Sequence, residues 1–256
     1  MKTAVVTSFD ENYFEYSMVM LKSLSQNYFC QDPLDVICLV PENLLTKEEI
    51  YTQRLHAANL KISFRTSQQY EDLVRGGRYT FNEVPHVTQN AMQRLFLSST
   101  LHDYEKVIYL DPDIIILRDV APLLEYPMYN HLMALQEPDH MNLRTFKTLD
   151  RPYFNNGVFI TDLRYWRRSG LEETMLAWLK VNDPTECIEQ DLMNRFMIDV
   201  WSPLPQSFNY FDQNGDELVD GHGPLVVHFI GEGKPWVDGP PETAWRRTWK
   251  KIYSTL

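Results

Sequence analysis

The sequence predicts one α/β domain built on a mostly parallel, Rossmann-like sheet with helices on both faces. Three observations carry that expectation. Short β-branched runs alternate with helical patterns, several of those runs are apolar at nearly every position, and 256 residues suit one large domain with a sizeable core. The strand runs are Thr3–Thr7, Val36–Val40, Lys61–Phe64, Val107–Leu110, Leu132–Gln136, Val158–Thr161 and Leu225–Phe229. Continuous apolar runs are what strands covered on both faces require. Tyr13–Asn27 reads as a helix because Tyr16, Met20 and Leu24 fall four apart on one face. Thr46 and Glu49 read as a capping box opening the next helix, and Thr88–Thr100, Leu171–Leu179 and Cys187–Phe196 read as further helices. Residues 240–256 read as a C-terminal helix with Trp245, Trp249 and Tyr253 at four-residue spacing. The Gly, Asp and Asn content of Asn209–Gly223 reads as an exposed loop. In such sheets ligands bind beyond the carboxyl ends of the strands.

Composition excludes several classes. The formal charge is −11, so nucleic acid is not an expected partner, and an anionic nucleotide would need a cation or a local set of donors. No run of about 18 apolar residues occurs and the N-terminal apolar stretch meets Asp10 and Glu11 early. The expectation is a cytoplasmic protein with no membrane-spanning helix. Cys30, Cys38 and Cys187 have neither zinc-site nor disulfide-framework spacing and read as buried free thiols. A dinucleotide-binding Gly-rich fingerprint and a phosphate loop ending in Gly-Lys-Ser/Thr are both missing, which argues against hydride transfer and ATP hydrolysis.

The segment Lys106-Val107-Ile108-Tyr109-Leu110-Asp111-Pro112-Asp113-Ile114-Ile115-Ile116 runs an apolar strand into two aspartates and then resumes apolar chain. Buried carboxylates need a cation or strong donors. Hard oxygen ligands suit Mn²⁺ or Mg²⁺, which use carboxylates together with substrate phosphates. Pro112 stiffens the pair by fixing its own φ and biasing Asp111 away from helix. Taken alone, the pair reads equally well as a turn with two solvated aspartates. Downstream, His228 closes an apolar strand and a Gly231-Glu232-Gly233-Lys234 loop follows. A lone histidine is most often a satisfied core residue, yet it is also compatible with Mn²⁺, and the glycines and Lys234 suit phosphate oxygens.

In combination and order, these segments resemble the retaining family 8 glycosyltransferases, over nearly the whole chain. The resemblance implies a GT-A fold, a UDP-sugar donor and Mn²⁺ or Mg²⁺. Thr7, Ser8, Phe9, Asp10 and Tyr13 match the first strand and loop that hold the uridine, and Arg94 matches a basic residue at the diphosphate and donor sugar. Asp111 and Asp113, with Pro112 between them, match the metal-binding pair, and His228 the third protein ligand. Phe154-Asn155-Asn156-Gly157-Val158-Phe159 resembles the block whose asparagine lies at the donor sugar, and Gly231 and Lys234 match the diphosphate loop. Leu204-Pro205 with Phe208-Asn209-Tyr210 resembles a segment near the acceptor. Glu189-Gln190-Asp191-Leu192-Met193-Asn194 resembles Asp-Gln-x-x-x-Asn, whose carboxylate sits at the anomeric centre.

This chain has Glu189 where the family usually has Asp, a displacement of about one C–C bond, and misplacement of about 1 Å can reduce rate about a hundredfold. Glu189 with Gln190 falls on the family positions, and Asp191 is the alternative acidic group facing the sugar. The expected chemistry is transfer of glucose or galactose to an acceptor hydroxyl with retention. A cation would act as Lewis acid on the leaving diphosphate, with donors from Lys234, Gly231 and Arg94. Asn155, Gln190 and Glu189 would orient the sugar and stabilise an oxocarbenium-like transition state. A glycan, a lipid-linked sugar or a protein would serve as acceptor. A homodimer is compatible with the sequence, and no self-glycosylated tyrosine can be matched.

Other residues read two ways. Asp139 reads equally as a contact to sugar hydroxyls and as a solvated loop residue, and His140 as a loop residue. Asp162 reads as a strand end or cap, and Tyr28 and Phe29 as core. The aromatic stripe of the last helix reads as packing, with Arg246, Arg247, Lys250 and Lys251 in water, ahead of a membrane-contacting helix. Two rival functions are a sugar nucleotidyltransferase, which lacks its Gly-rich basic loop after the first strand, and a nucleotide-sugar-binding protein without turnover, which Glu189 keeps open.

Overall fold

The computed structural model describes residues 1–76, 89–138, 151–182, 188–216 and 222–256. The chain runs β1 (Thr3–Ser8), α1 (Phe14–Gln26), β2 (Leu34–Leu39), α2 (Glu48–Leu55), β3 (Leu60–Arg65), α3 (Gln68–Arg75), a 3₁₀ segment (Gln89–Phe96), α4 (Leu97–Thr100), β4 (Lys106–Leu110) and β5 (Ile114–Ile116). It continues with α5 (Ala121–Leu124), β6 (Leu132–Gln136), β7 (Phe154–Asp162), α6 (Leu163–Ser169), α7 (Leu171–Val181) and α8 (Ile188–Phe196). The described chain ends with β8 (Trp201–Pro203), β9 (Tyr210–Phe211), β10 (Val226–His228) and α9 (Ala244–Tyr253).

The large sheet has the order β3-β2-β1-β4-β7-β6-β8. β1 is parallel to β2 and β4, β2 to β3 and β6 to β8, while β7 is antiparallel to β4 and β6. The expected mostly parallel sheet is therefore present, with β7 as its reversed member. Alternation along single strands shows both faces covered. Val5, Ile108 and Leu110 pack with Met18, Met20, Leu24 and Tyr51 on the α1–α2 side. Ala4, Val6, Val107 and Tyr109 pack with Leu97, Trp166, Met175 and Leu192 on the other.

The expected strand at Leu225–Phe229 is β10, the middle of a second sheet β5-β10-β9 whose other two strands the sequence pattern does not foreshadow. In this sheet Ile115, Tyr210, Val227 and adjoining Phe229 pack with Val19, Trp249 and Ile252, so α1 and α9 cover it. The aromatic stripe of α9 accordingly packs inward at Trp249, while Tyr253 is 41% exposed. Among the described residues no helix is long and apolar enough to cross a membrane.

Several local expectations are corrected. Thr46 does not cap a helix: residues Glu42–Lys47 form a 3₁₀ segment after Pro41, and α2 begins directly after it without a side-chain cap. Gln89–Phe96 winds as 3₁₀ rather than α because side chains three apart bond one another or the intervening backbone, Gln93 to Asn90 at 2.8 Å and Arg94 Nε to the Ala91 carbonyl at 3.1 Å. Asn209–Asp212 is a buried strand and turn rather than exposed loop, because β9 pairs with β10. Tyr28 is buried and donates its hydroxyl to the Asp32 carbonyl, whereas Phe29, on the opposite side of the chain, is 70% exposed. Cys38 is buried on β2, but Cys30 lies exposed in the loop before it, and Cys187, Asp139 and His140 fall outside the described residues. Asp162 both ends β7 and caps α6, accepting from the Arg164 N–H at 2.9 Å.

Beneath the carboxyl ends of β1 and β4, Phe159 stacks on Tyr109 with ring centroids 4.9 Å apart. Both rings are fully buried. Phe159→Ala leaves a ring-sized void there, and its expected effect is a loss of about 3–5 kcal/mol of stability, read as a lower urea midpoint by circular dichroism.

Candidate active site

The Asp111-Pro112-Asp113 turn is the point where the chain leaves the large sheet for the small one. Asp111 follows β4, and its N–H donates to the Gly157 carbonyl at 2.8 Å, extending the β4–β7 pairing. Asp113 precedes β5, and its carbonyl accepts from the Phe229 N–H at 3.0 Å. The antiparallel register of β5 and β10 sets His228 opposite Ile114. Strand pairing thus delivers the imidazole to the two carboxylates. One ligand atom from each of Asp111, Asp113 and His228 lies within 4.8 Å of the others. The cradle is tight, because a Cβ at Gly157 would stand 2.2 Å from His228 Cε1 and 2.7 Å from Asp111 Oδ2.

Hydrogen bonding fixes which face of His228 meets the carboxylates. The Gly157 N–H donates to Asn155 Oδ1 at 3.0 Å, so a backbone donor sets that amide's orientation. Asn209 Nδ2 donates to the same oxygen at 2.9 Å, which leaves Asn209 Oδ1 as the acceptor facing His228 Nδ1 at 3.0 Å. Nδ1 therefore carries the proton, and in neutral imidazole Nε2 presents its lone pair. Nε2 lies 3.3 Å from Asp113 Oδ1 and 3.8 Å from Asp111 Oδ2. Asp113 Oδ1 is buried without a hydrogen-bond partner among the described residues. Acceptors converging this closely repel unless positive charge stands between them. Two hard carboxylates and a borderline imidazole, with the far imidazole nitrogen held by an amide, are a donor set that fits Mn²⁺ or Mg²⁺.

Two cations of the chain hold the carboxylates. Lys234 Nζ donates to Asp113 Oδ2 and, at 2.7 Å, to the Phe229 carbonyl. Burial opposes ionisation of Asp113, but the Lys234 ammonium outweighs it and holds the carboxyl below the usual range. Arg94 donates to Asp111 Oδ1 at 2.6 Å, to the Asn156 carbonyl and Oδ1 at 3.0 and 2.9 Å, and to the Ala91 carbonyl at 3.1 Å. Burial works against its charge, and Asp111, Tyr109 and Glu189 more than offset that. Four of its five N–H donors are thereby engaged within the protein. Asp111 itself is raised, by burial first, with Asp113 adding to it against the pull of Arg94.

On the other side of the cradle, β7 carries the Asn155-Asn156-Gly157 stretch. The β6–β7 register shifts between Ala134 and Leu135, so that Ala134 faces Phe159 and Leu135 faces Asn155. This irregularity re-aims the polar residues of a strand that is buried throughout. Asn155 Nδ2 donates to Glu137 Oε1 at 3.0 Å, and Gln190 Nε2 donates to the same oxygen at 3.3 Å. Gln190 Oε1 accepts from the Asn156 N–H at 3.1 Å. Asn194 binds both the N–H and the carbonyl of Phe154 at 2.8 Å, locking α8 onto β7. The Gln-x-x-x-Asn spacing is thus one helical turn that clamps a strand.

The structure brings most of the expected site residues together. Glu189 is buried, with Oε2 unpartnered among the described residues, and its charge acts on Arg94, Tyr109 and Asp111. Thr7 Oγ1 is likewise buried without a partner, and Ser8 shares a 2.6 Å hydrogen bond with Tyr109. Tyr13 lies where Asp113 and Asp111 add to burial in pushing its hydroxyl pKa up. Gly231 adopts φ +70°, which glycine tolerates, before the Lys234 loop. Pro112 is buried between its two aspartates.

Three of the expected site residues make contacts of their own in the structure. The Phe9 ring is not at the site: it is buried in the core, stacked on Tyr51 and edge-on to Phe14 and Phe64. Asp10 caps the turn after β1, accepting from the Asn12 N–H at 3.0 Å. Asp191 Oδ1 accepts from the Tyr153 hydroxyl at 2.7 Å, so this carboxylate holds a neighbouring ring rather than standing open toward a sugar. Glu137 was missed by sequence reasoning. Its signal is an acidic residue directly after a mostly apolar strand, the pattern that singles out Asp111 after β4. Asn209 was read as near the acceptor, and it orients His228.

A two-sheet α/β architecture with a carboxylate–imidazole cradle beyond the strand ends is the GT-A glycosyltransferase fold. It superposes on galactosyltransferase LgtC in complex with donor and acceptor sugar analogs, with a TM-score of 0.76, 21% identity and coverage of 99% of this chain and 96% of that one. Residues 4–239 match the family model of glycosyl transferase family 8, and the chain belongs to that family. Its relatives include probable galacturonosyltransferase-like 6 of Arabidopsis thaliana, 28% identical over 157 residues, covering 52% of this chain and 45% of that protein. General stress protein A of Bacillus subtilis is 25% identical over 175 residues, covering 60% of this chain and 61% of that protein. The chain thus spans about half to three-fifths of these two relatives.

Gly157→Ala forces His228 off the carboxylates. The expected result is a folded protein whose Mn²⁺ affinity, read by electron paramagnetic resonance, falls about a hundredfold. Glu137 provides a pH test. Burial raises its pKa above the unfolded value, so the folded state is favoured below the unfolded pKa and loses that advantage as pH rises through the folded one. Glu137→Gln is expected to melt higher than the parent at about pH 8, with the gain vanishing near about pH 4.

Proposed function

We propose that the chain is a divalent-cation-dependent, retaining hexosyltransferase that moves glucose or galactose from a UDP-sugar to an acceptor hydroxyl. The observation that carries this reading is the convergence of Asp111, Asp113 and the lone-pair face of His228, with Asp113 Oδ1 buried and unpartnered. Asp111, Asp113 and His228 would hold Mn²⁺ or Mg²⁺. When bound, the cation supplies positive charge against the diphosphate leaving group.

The chain's own residues take the remaining tasks. Lys234 is a buried cation on the loop opened by Gly231, placed to share charge with phosphate oxygens as it now does with Asp113. Arg94 holds Asp111 and Asn156 in place. Thr7, Ser8 and Tyr13, with the Phe9–Asp10 backbone, line the nucleotide side. Asn155, Gln190 and Glu137 form a fixed polar wall for sugar hydroxyls. Glu189 has a buried carboxylate oxygen without a hydrogen-bond partner among the described residues and its charge acts on Asp111, which suits it to stabilising positive charge at the anomeric carbon. The acceptor would be a glycan, a lipid-linked sugar or a protein side chain.

A panel of UDP-sugars is assayed for transfer and for slow hydrolysis, with Mn²⁺ and with a chelator. Turnover is expected only with the cation, and Asp113→Asn is expected to lower it by about a hundredfold or more. Chelator-insensitive turnover sinks the metal reading, and UDP-sugar binding without any released sugar favours a binding protein.

A further inference from the structure

The C-terminal helix α9 is anchored at its first turn more firmly than packing of its aromatic stripe demands. Thr243 accepts from the Arg246 N–H at 3.2 Å and donates its hydroxyl to Asp212 Oδ1 at 2.7 Å. Asp216 accepts from the Ala244 N–H at 2.8 and 3.0 Å, and Trp245 Nε1 donates to the Gly215 carbonyl at 3.0 Å. These bonds tie the helix start to the segment that follows β9 and fix the place from which Arg246 projects.

Arg246 is not in water with the other basic residues of α9. It is buried, and its guanidinium lies 5.8 Å from the Phe229 ring. Nε and Nη2 meet Asp212 Oδ2 at 2.7 and 2.6 Å. Nη1 donates to the Lys234 carbonyl at 3.1 Å and Nη2 to the Gly233 carbonyl at 2.5 Å. Those two carbonyls belong to the peptide planes on either side of the Lys234 Cα. Holding both fixes the backbone direction from which the Lys234 side chain leaves toward Asp113. A planar fork can grip two successive carbonyls and a carboxylate at once, and a lysine ammonium has no such fixed geometry. A buried arginine–carboxylate pair adds little net stability over apolar residues of similar size. Its placement on the loop therefore points to a different role.

We propose that Arg246, held by Asp212, is a positioning residue that presents Lys234 to the donor diphosphate, making α9 part of the phosphate site. This rests on the reading that Lys234 meets the diphosphate. UDP affinity in the presence of Mn²⁺ is measured by calorimetry on the full chain, and uridine affinity by competition. The variants are Lys234→Met, Arg246→Lys, and the paired change Asp212→Leu with Arg246→Met. The paired change replaces the ion pair with apolar side chains, so it is expected to melt near the parent, and Arg246→Lys serves if it does not. Both Arg246 variants are expected to bind UDP about tenfold more weakly, with uridine affinity unchanged. A folded Arg246 variant that keeps UDP affinity while Lys234→Met loses it overturns the positioning role alone, as does a loss shared equally by uridine. Unchanged UDP binding by Lys234→Met overturns the reading of the loop and this inference with it.

Discussion

Two carboxylates share a space so close that no Cβ fits at Gly157, and the surrounding structure is arranged around their charge. Asp111 and Asp113 stand on either side of Pro112, each answered by a different cation: Arg94 reaches Asp111 from the 3₁₀ segment, and Lys234 reaches Asp113 from the loop after β10. Like charges in a desolvated site repel strongly, so each must be compensated by donors that approach from its own side. That requirement draws the 3₁₀ segment, the aspartate turn and the loop after β10 to one point. It also explains why the basic residues there have few donors left over. Their first task is to keep a pair of anions in place.

The second dependency is directional. A backbone N–H at Gly157 orients Asn155, Asn155 constrains Asn209, and Asn209 sets the face of His228 that meets the carboxylates. No member can flip its amide without placing like atoms against each other. Asn155 also donates to Glu137, so the polar wall of the proposed sugar pocket and the proposed metal cradle share a side chain. Geometry on one side is therefore not independent of geometry on the other.

Much of the large sheet was legible in the sequence because its strands are apolar at nearly every position, a pattern set by burial on both faces. Asp111, Asp113 and His228 were legible for the converse reason: charged or polar groups interrupting such runs need a partner. Of the small sheet only β10 was legible, within Leu225–Phe229; β5 and β9 are three residues or fewer and their pairing is set by tertiary contacts. Tyr210 and Phe211 were hidden in a stretch whose Gly, Asp and Asn content reads as loop. The Phe9 ring packs in the core against Tyr51, which its place in the first-strand motif does not reveal. Arg246 sat in a run of basic residues, and composition cannot tell the one buried guanidinium from its solvated neighbours.

The cradle's parts are widely separated along the chain. Arg94 and the two aspartates lie in its first half, the asparagine wall comes later, and His228, Lys234 and Arg246 come near the C-terminus. During synthesis the aspartates emerge from the ribosome long before the imidazole and ammonium that complete their surroundings. The site is consequently closed by contacts between residues far apart in the chain, and any ligand it binds acts as a clasp across them. Occupancy should then favour the finished molecule over partly folded chains, which links ligand supply to the lifetime of the folded protein.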